Sequence, residues 1–277
     1  MNQHIFSKKP TIIGMVHFSA LQGSEGFESK EVVLERARQD LAALQEGGVD
    51  VIMFENNFDT PKFAELPASI AQHFEELIAE LAPETKLPWG IVPLWNDYRF
   101  GFEMCKKYGG LMVRVPVFVD SVETVYGEFV ANAKKVFEVR KEVGVEDVLI
   151  LADVQVKHAK MLNPRPFTES VEEAMQELAD GIIVTGTWTG DPPSVEQCAE
   201  ARSTVGDRGL VLTGSGMTAE NLHSFAPYLD GCIVGTAFKA GERAEGKEGP
   251  NVVGPETRYD VDRIKTFMQA ASRCQHE

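Results

Sequence analysis

A (β/α)8 barrel is the fold class this sequence predicts, on three observations. Eight short apolar runs alternate with stretches of helical period, each run is nearly continuously apolar, and the 277 residues suit a fold that typically takes roughly 250. Continuous apolarity marks strands buried on both faces, as in a parallel sheet covered by helices. One domain spanning residues 1–277 is the simplest organisation.

The runs are TIIGMVHF (11–18), VDVIMFEN (49–56), PWGIVPLW (88–95), LMVRVPVF (111–118), DVLILADVQV (147–156), ADGIIVTG (179–186), GLVLTGSG (209–216) and LDGCIVGTAF (229–238). Between the first two, EVVLERARQDLAALQEGG places Val33, Ala37, Leu41 and Leu44 on one helical stripe, and Gly47 and Gly48 stop it. Further on, SVETVYGEFVANAKKVFEVRKEVG (121–144) has Val125, Phe129, Ala133, Val136 and Phe137 on one side and is expected to be helical in the same way. Asp50, Asp180 and Asp230 each stand just ahead of an apolar run, a weak internal repetition that suits equivalent units. A doubly wound open sheet is the alternative. It calls for G-x-G-x-x-G between the first strand and its helix, and MVHFSALQGSEGF lacks that spacing. Residues 240–260, rich in Gly, Pro and charge, form a long loop before the last helix, of the length expected for a lid.

Forty-two acidic against twenty-seven basic residues give a net charge of −15 and a pI near 4.9. Such a field repels polyanions and argues against nucleic acid as a partner. An anionic ligand then needs a local nest of N–H groups or a few placed cations. The four cysteines include no Cys-x-x-Cys pair, which argues against zinc or a disulfide framework and for a reducing compartment. The N-terminal stretch lacks a signal-peptide apolar region, and no apolar run reaches the roughly eighteen residues of a spanning helix. The expectation is a cytoplasmic protein without a transmembrane segment, compatible with peripheral membrane contact and with homo-oligomers.

Barrels of this type commonly hold phosphate between the loops after strands 7 and 8. Here those loops carry Gly214-Ser215-Gly216 and Gly235-Thr236, with Gly186 one loop earlier. Glycines let backbone N–H groups approach an anion without a Cβ in the way. The competing reading is that both are tight turns at strand ends.

Chemistry in such barrels sits at the C-terminal strand ends. The polar residues there are His17, Glu55, Asn56, Asn96, Asp97, Arg114, Asp153, Lys157, His158, Thr185 and Thr189, with Lys239 after the last strand. Glu55, Asp97, Asp153 and Lys157 are the candidates for proton chemistry, provided burial and charge separate their pKa values. Each has a plainer role open to it. Asp97 precedes a helical stretch and could cap it, Arg114 could neutralise Glu55, and His17 and His158 could be hydrogen-bonded core residues. Asp153 and Lys157 lie four apart, so a continuing strand would point both, with Gln155, into the mouth, where a salt bridge is the alternative to catalysis. No H-x-H or H-E-x-x-H spacing supports a metal among His17, Glu55 and Asp153, and no cofactor is expected.

The stretches IGMVHFSALQGS, GGVDVIMFEN, WND, RV, ADVQVKHA, IVTGTWTG, LTGSGMTAEN and IVGTAFK together make the chain resemble the BtpA family from about Ile12 to Phe267. The resemblance implies a TIM barrel of the ribulose-phosphate-binding type. It associates the family with assembly of photosystem I membrane complexes on one side and with sugar-uptake genes and nucleosidase-like activity on the other. Glu55-Asn56, Asn96-Asp97, Arg114, Asp153, Lys157-His158, Thr185-Gly186, Thr189-Gly190, Gly214-Ser215-Gly216 and Lys239 match the family motifs as they stand. Pro116 and Val125-Tyr126-Gly127 depart from them. Two functions follow as expectations: an enzyme acting on a phosphorylated sugar or nucleoside, as a lyase, isomerase or nucleosidase-type hydrolase, or a non-catalytic assembly factor that binds a phosphorylated ligand or a protein partner. The density of polar groups at one barrel end favours the enzyme.

Overall fold

The computed structural model describes residues 2–240 and 253–275. Its strands are β1 (Thr11–His17), β2 (Val51–Glu55), β3 (Trp89–Val92), β4 (Met112–Val115), β5 (Val122–Thr124), β6 (Gly127–Phe129), β7 (Leu149–Val154), β8 (Lys160–Met161), β9 (Gly181–Val184), β10 (Leu210–Thr213) and β11 (Gly231–Val234). The helices are α1 (Lys30–Gly47), α2 (Ala68–Glu84), α3 (Tyr98–Tyr108), α4 (Ala133–Val143), α5 (Phe167–Gln176), α6 (Val195–Val205), α7 (Leu222–Phe225) and α8 (Val261–Cys274). Eight strands close a parallel barrel in the order β1-β11-β10-β9-β7-β4-β3-β2, and helices connect them. All eight apolar runs are barrel strands. The three remaining strands form a small antiparallel sheet, β6-β5-β8.

Strand periodicity sorts the core into two layers, because successive side chains point to opposite faces. Ile13 and Met15 of β1, Leu149 and Leu151 of β7, and Leu210 and Leu212 of β10 belong to one buried cluster, which Phe6 of the N-terminal 3-10 turn joins. Their neighbours Ile12, Val16, Ile150, Ala152 and Val211 belong to another, shared with the helices. The α1 stripe of Val33, Ala37, Leu41 and Leu44 is buried in that second cluster as its spacing predicts. Ser29 caps α1 by accepting the Val32 N–H, and Gly48, at φ 86°, ends it.

Two local expectations give way. The helix expected over 121–144 begins only at Ala133, where Asn132 caps it by accepting the Lys135 N–H; residues 122–129 are instead the β5–β6 hairpin. Val122, Thr124, Val125 and Tyr126 are strand formers, Gly127 takes φ 107° in the turn, and Val125 on the supposed buried stripe is 90% exposed. Strand β7 also stops early. Gln155 adopts φ 49°, and its side-chain amide donates to Arg165 O (3.1 Å) and Ser170 Oγ (3.3 Å), so it turns away from the mouth. The loop expected as a lid over 240–260 falls largely on residues 241–252, outside the described residues. Its described ends meet through the Ala240 N–H, which donates to Arg258 O (3.0 Å).

The repeated aspartates have one job at the N-terminal end of the barrel. Asp50 accepts the Ile12 N–H, Asp180 the Ile150 N–H and Asp230 the Val211 N–H, each at 2.8 Å, so each ties the start of its strand to the strand beside it. Asp180 also receives Arg140 Nη1 at 2.7 Å, with both residues buried. Asp180→Ala leaves that guanidinium buried and uncompensated, and urea unfolding should show a loss of about 3–5 kcal/mol. A loss below about 1 kcal/mol would mean that the pair holds nothing.

Candidate functional site

The alternation that fills the barrel with Ile13, Met15, Leu149 and Leu151 places polar residues next along the same faces. Two residues beyond Met15 stands His17, beyond Met53 Glu55, beyond Met112 Arg114 and beyond Leu151 Asp153. Above them opens a cavity of about 670 Å³. His17, Glu55, Arg114, Lys157 and Lys239 line it, as do the two glycine loops and His158 with Thr189.

Arg114 and Asp153 make a bidentate pair, Nε to Oδ1 and Nη2 to Oδ2, both 2.8 Å. Burial disfavours the Arg114 cation, but the charge and hydrogen bonds of Asp153 outweigh this and hold its pKa above the usual value. Asp153 lies below the cavity surface with both oxygens engaged, so its geometry is that of a group positioning Arg114. Glu55 does not take Arg114 as its direct partner. It pairs with His17, Oε2 to Nε2 at 3.0 Å. Burial pushes the Glu55 carboxyl up, yet the His17 hydrogen bond and charge, with Arg114 and Lys62 beyond, bring it down to about 2. An anionic Glu55 at neutral pH can accept a proton or balance a cation, and it has none to give.

Three lysines meet this cavity. Lys62, Lys157 and Lys239 all have pKa values lowered to about 8, each mainly by desolvation; Arg114 adds to the effect on Lys157, and Arg258 to that on Lys239. Lys157 Nζ donates to Gly214 O at 3.1 Å and makes no salt bridge with Asp153. Lys62 had no signal in the sequence, because it stands seven residues beyond β2, where strand parity no longer applies. The loop folds it back so that Nζ donates to Asn57 O at 2.8 Å. The apolar wall is equally illegible. It combines Phe58, Trp95 and Trp188 from three loops with Tyr126 of the hairpin that read as helix.

The glycine loops do more packing than their pattern suggests. Ser215 Oγ donates to Asp191 O (2.7 Å) and accepts the Gly186 N–H (3.1 Å), locking the loop after β10 to the loop after β9. Gly216, at φ 74°, brings its backbone so close that a Cβ would lie 2.0 Å from Pro192 N. At Gly235 a Cβ would meet His17 Cε1 at 2.7 Å. Thr236 opens a 3-10 turn, Thr236–Phe238, whose first N–H groups have no acceptor within it.

Several candidates sit behind the cavity. Asp97 caps α3, with Oδ1 accepting the Phe100 N–H (3.0 Å) and Oδ2 the Leu66 N–H (2.9 Å), which is the capping role, and it does not line the cavity. Asn96 bridges to Val117 N–H and O, and Asn56 holds Leu94 N–H and Asp59. Thr185 is buried beneath Gly214, and Gly186 is covered by the Asp191 and Pro192 carbonyls. His158, at φ 61°, shares a 2.8 Å hydrogen bond with Thr189 Oγ1, and its ring lies 5.3 Å from that of Trp188. Burial and the nearby Lys157 push its pKa down to about 4, so it is neutral at physiological pH. Among the described residues, no group of three or more His, Cys, Asp or Glu side chains is placed to hold a metal. Asp153→Asn should cost about 3–5 kcal/mol in urea unfolding, since it strands a buried guanidinium, and added inorganic phosphate should recover part of that loss. A variant as stable as the parent would show that Arg114 does not depend on Asp153.

The model of the BtpA family matches residues 8–273. An uncharacterized protein of Pyrococcus furiosus is 36% identical over 236 residues, covering 84% of this chain and 88% of the relative. The photosystem I biogenesis protein BtpA of Synechocystis is 32% identical over 237 residues, covering 84% of this chain and 82% of the relative. In structure, the chain is similar to thiamine phosphate pyrophosphorylase from Pyrococcus furiosus, with a TM-score of 0.55 at 10% identity and 98% of each chain covered. That likeness concerns the fold, which is a TIM barrel. With a closed eight-stranded parallel barrel and a family match along nearly its whole length, this chain belongs to the BtpA family.

Proposed function

We propose that this protein is an enzyme acting on a phosphorylated sugar or nucleoside bound in the barrel mouth. One observation carries the reading: in a chain of net charge −15, Lys62, Arg114, Lys157 and Lys239 gather on a single cavity, and the carboxylates Asp153 and Glu55 are already engaged by Arg114 and His17. Desolvated cations in such numbers are costly unless an anion completes them. The loops at Gly214–Gly216 and Gly235–Thr236 supply the phosphate end, and the wall of Trp95, Trp188 and Phe58 faces the organic part. The phosphate in the name of the structurally similar pyrophosphorylase agrees with this. Lyase, isomerase and nucleosidase-type hydrolase chemistry all fit, with Glu55 as proton acceptor and the lysines stabilising developing negative charge. The wide spacing of Cys105, Cys198, Cys232 and Cys274, with no Cys-x-x-Cys pair, supports a cytoplasmic setting.

The non-catalytic reading, an assembly factor for membrane complexes, is supported by the name of the Synechocystis relative and by Val125, at the cavity, and Val130, just after β6, which are 90% and 72% exposed. No described helix is long and apolar enough to cross a membrane, so contact of that kind would be peripheral. Thermal-shift screening against sugar phosphates and nucleotides, followed by turnover assays on every binder, separates the two. Binding without turnover on any of them would favour the assembly factor.

The lysines fix a pH dependence. Their folded pKa values lie near 8, below the unfolded value, and a bound anion raises them again. Binding therefore takes up protons near pH 8, and affinity falls as pH rises through that value. A phosphate monoester becomes dianionic above about pH 6, so affinity for a sugar phosphate should be greatest between about pH 6 and 8. Calorimetry in buffers of different ionisation enthalpy should show proton uptake at pH 8, and Lys62→Met should weaken binding by roughly 10- to 100-fold. Affinity that stays flat from pH 7 to 10 would remove the lysines from the anion site.

A further inference from the structure

The three lysines of the mouth are not equivalent. Lys62, 6% exposed, donates to the carbonyls of Asn57 (2.8 Å) and Asn56 (3.4 Å), and Glu55 and Asp59 favour its charge. Lys239, 5% exposed, lies over the Phe58 ring at 5.3 Å, donates to Gly254 O at 3.5 Å and feels Asp40. Carbonyl dipoles, carboxylates and an aromatic face all hold those two as ammonium ions. Lys157 is only half-buried, so more of its surface is open. It also shares its surroundings with a guanidinium. Arg114 Nη2 lies 3.4 Å from the point where Gly214 would carry a Cβ, and Lys157 donates to the carbonyl of that same residue. The nearest carboxylate on its own segment, Asp153, is spent on Arg114. Glu55, Asp153 and Asp191 favour the Lys157 charge from a distance, but among the described residues none of them pairs with Nζ directly, and burial beside the Arg114 cation outweighs them. An amine so placed is held toward the neutral, nucleophilic form.

We propose that Lys157 is a covalent nucleophile, forming an imine with the carbonyl carbon of a phosphorylated aldehyde or ketone in the barrel mouth. The inference rests on the reading of the mouth as a phosphorylated-ligand site and narrows the substrate to a carbonyl compound. Nζ forms a bond to the carbonyl carbon, and the carbon–oxygen double bond gives way to a carbinolamine. The oxygen then leaves as water with two protons that began on the lysine ammonium. The product is an iminium that keeps the single positive charge, so atoms and charge balance without an oxidant or reductant. Lys62, in the same cavity, is placed to relay the proton that passes from nitrogen to oxygen. Glu55, anionic and lining the same cavity, is the proton acceptor for carbon acids next to the iminium.

The test uses the whole chain with dihydroxyacetone phosphate or glyceraldehyde 3-phosphate and sodium borohydride, read by intact mass and peptide mapping. The expected result is one adduct, the probe less one oxygen, on the peptide carrying Lys157. Excess inorganic phosphate and Lys157→Arg should each reduce it at least about tenfold. Label spread over surface lysines, or placed on Lys62 or Lys239, overturns the assignment even if Lys157→Arg fails to fold, because the map is made on the parent protein. Binding of the probe by calorimetry with no trapped adduct overturns the imine and leaves the phosphate reading standing. Pentane-2,4-dione, a carbonyl reagent without phosphate, supplies the opposite arm. Modification of Lys157 roughly a hundredfold faster than exposed lysines, with no binding or trapping of either phosphorylated probe, supports the nucleophile and overturns the phosphate site.

Discussion

A guanidinium inside a barrel must be neutralised, and the pairing of Arg114 with Asp153 across β4 and β7 is the interaction around which the mouth is organised. Because the pair is bidentate, it fixes the plane of the guanidinium as well as its charge. It also ties up both oxygens of the carboxylate that stands four residues before Lys157. Glu55 takes His17 as its direct partner. What is left over is a set of lysines, Lys62, Lys157 and Lys239, that donate to backbone carbonyls and make no direct ion pair among the described residues, in a cavity walled partly by aromatic rings. The anion site proposed for the mouth is thus a remainder, produced by the way Asp153 and Glu55 are already committed.

The architecture divides its polar residues by height. Low on the barrel, the carboxylates of Asp50, Asp180 and Asp230 bond to backbone N–H groups and cations, and they serve stability. High on it, the inward-facing carboxylates Glu55 and Asp153 bond to side chains, and the cavity's donors are lysines and loop backbones. The middle is filled by Met, Leu and Ile side chains, so the two ends do not share a polar network.

Whatever obeyed strand parity was legible in the sequence. His17, Glu55, Arg114 and Asp153 could be named because each continues an inward-facing alternation. Asn56, Asn96 and Asp97 lie at the same height but off that alternation, in turns whose N–H groups claim their side chains. The β5–β6 hairpin was missed because Val125, Phe129, Ala133, Val136 and Phe137 satisfy a helical period, while a glycine turn at Gly127 decides the outcome locally. Lys62, Trp95 and Trp188 were missed for a different reason. They reach the cavity only through the three-dimensional course of loops, which no spacing encodes.

Parity protects a strand against slipping by one residue, since every inward side chain would then face out. It offers no protection against a slip of two, which keeps every face correct and still moves the strand by about 6.6 Å along its axis. For β7 such a shift would carry Asp153 out of reach of Arg114. The aspartates at the strand starts close that escape. Asp180, bonded to the Ile150 N–H, defines where β9 begins relative to β7, and Asp50 and Asp230 do the same for β1 with β2 and for β10 with β11. The barrel's shear is thus pinned at the end remote from the mouth, and the heights at which the charged side chains there confront one another are set by it.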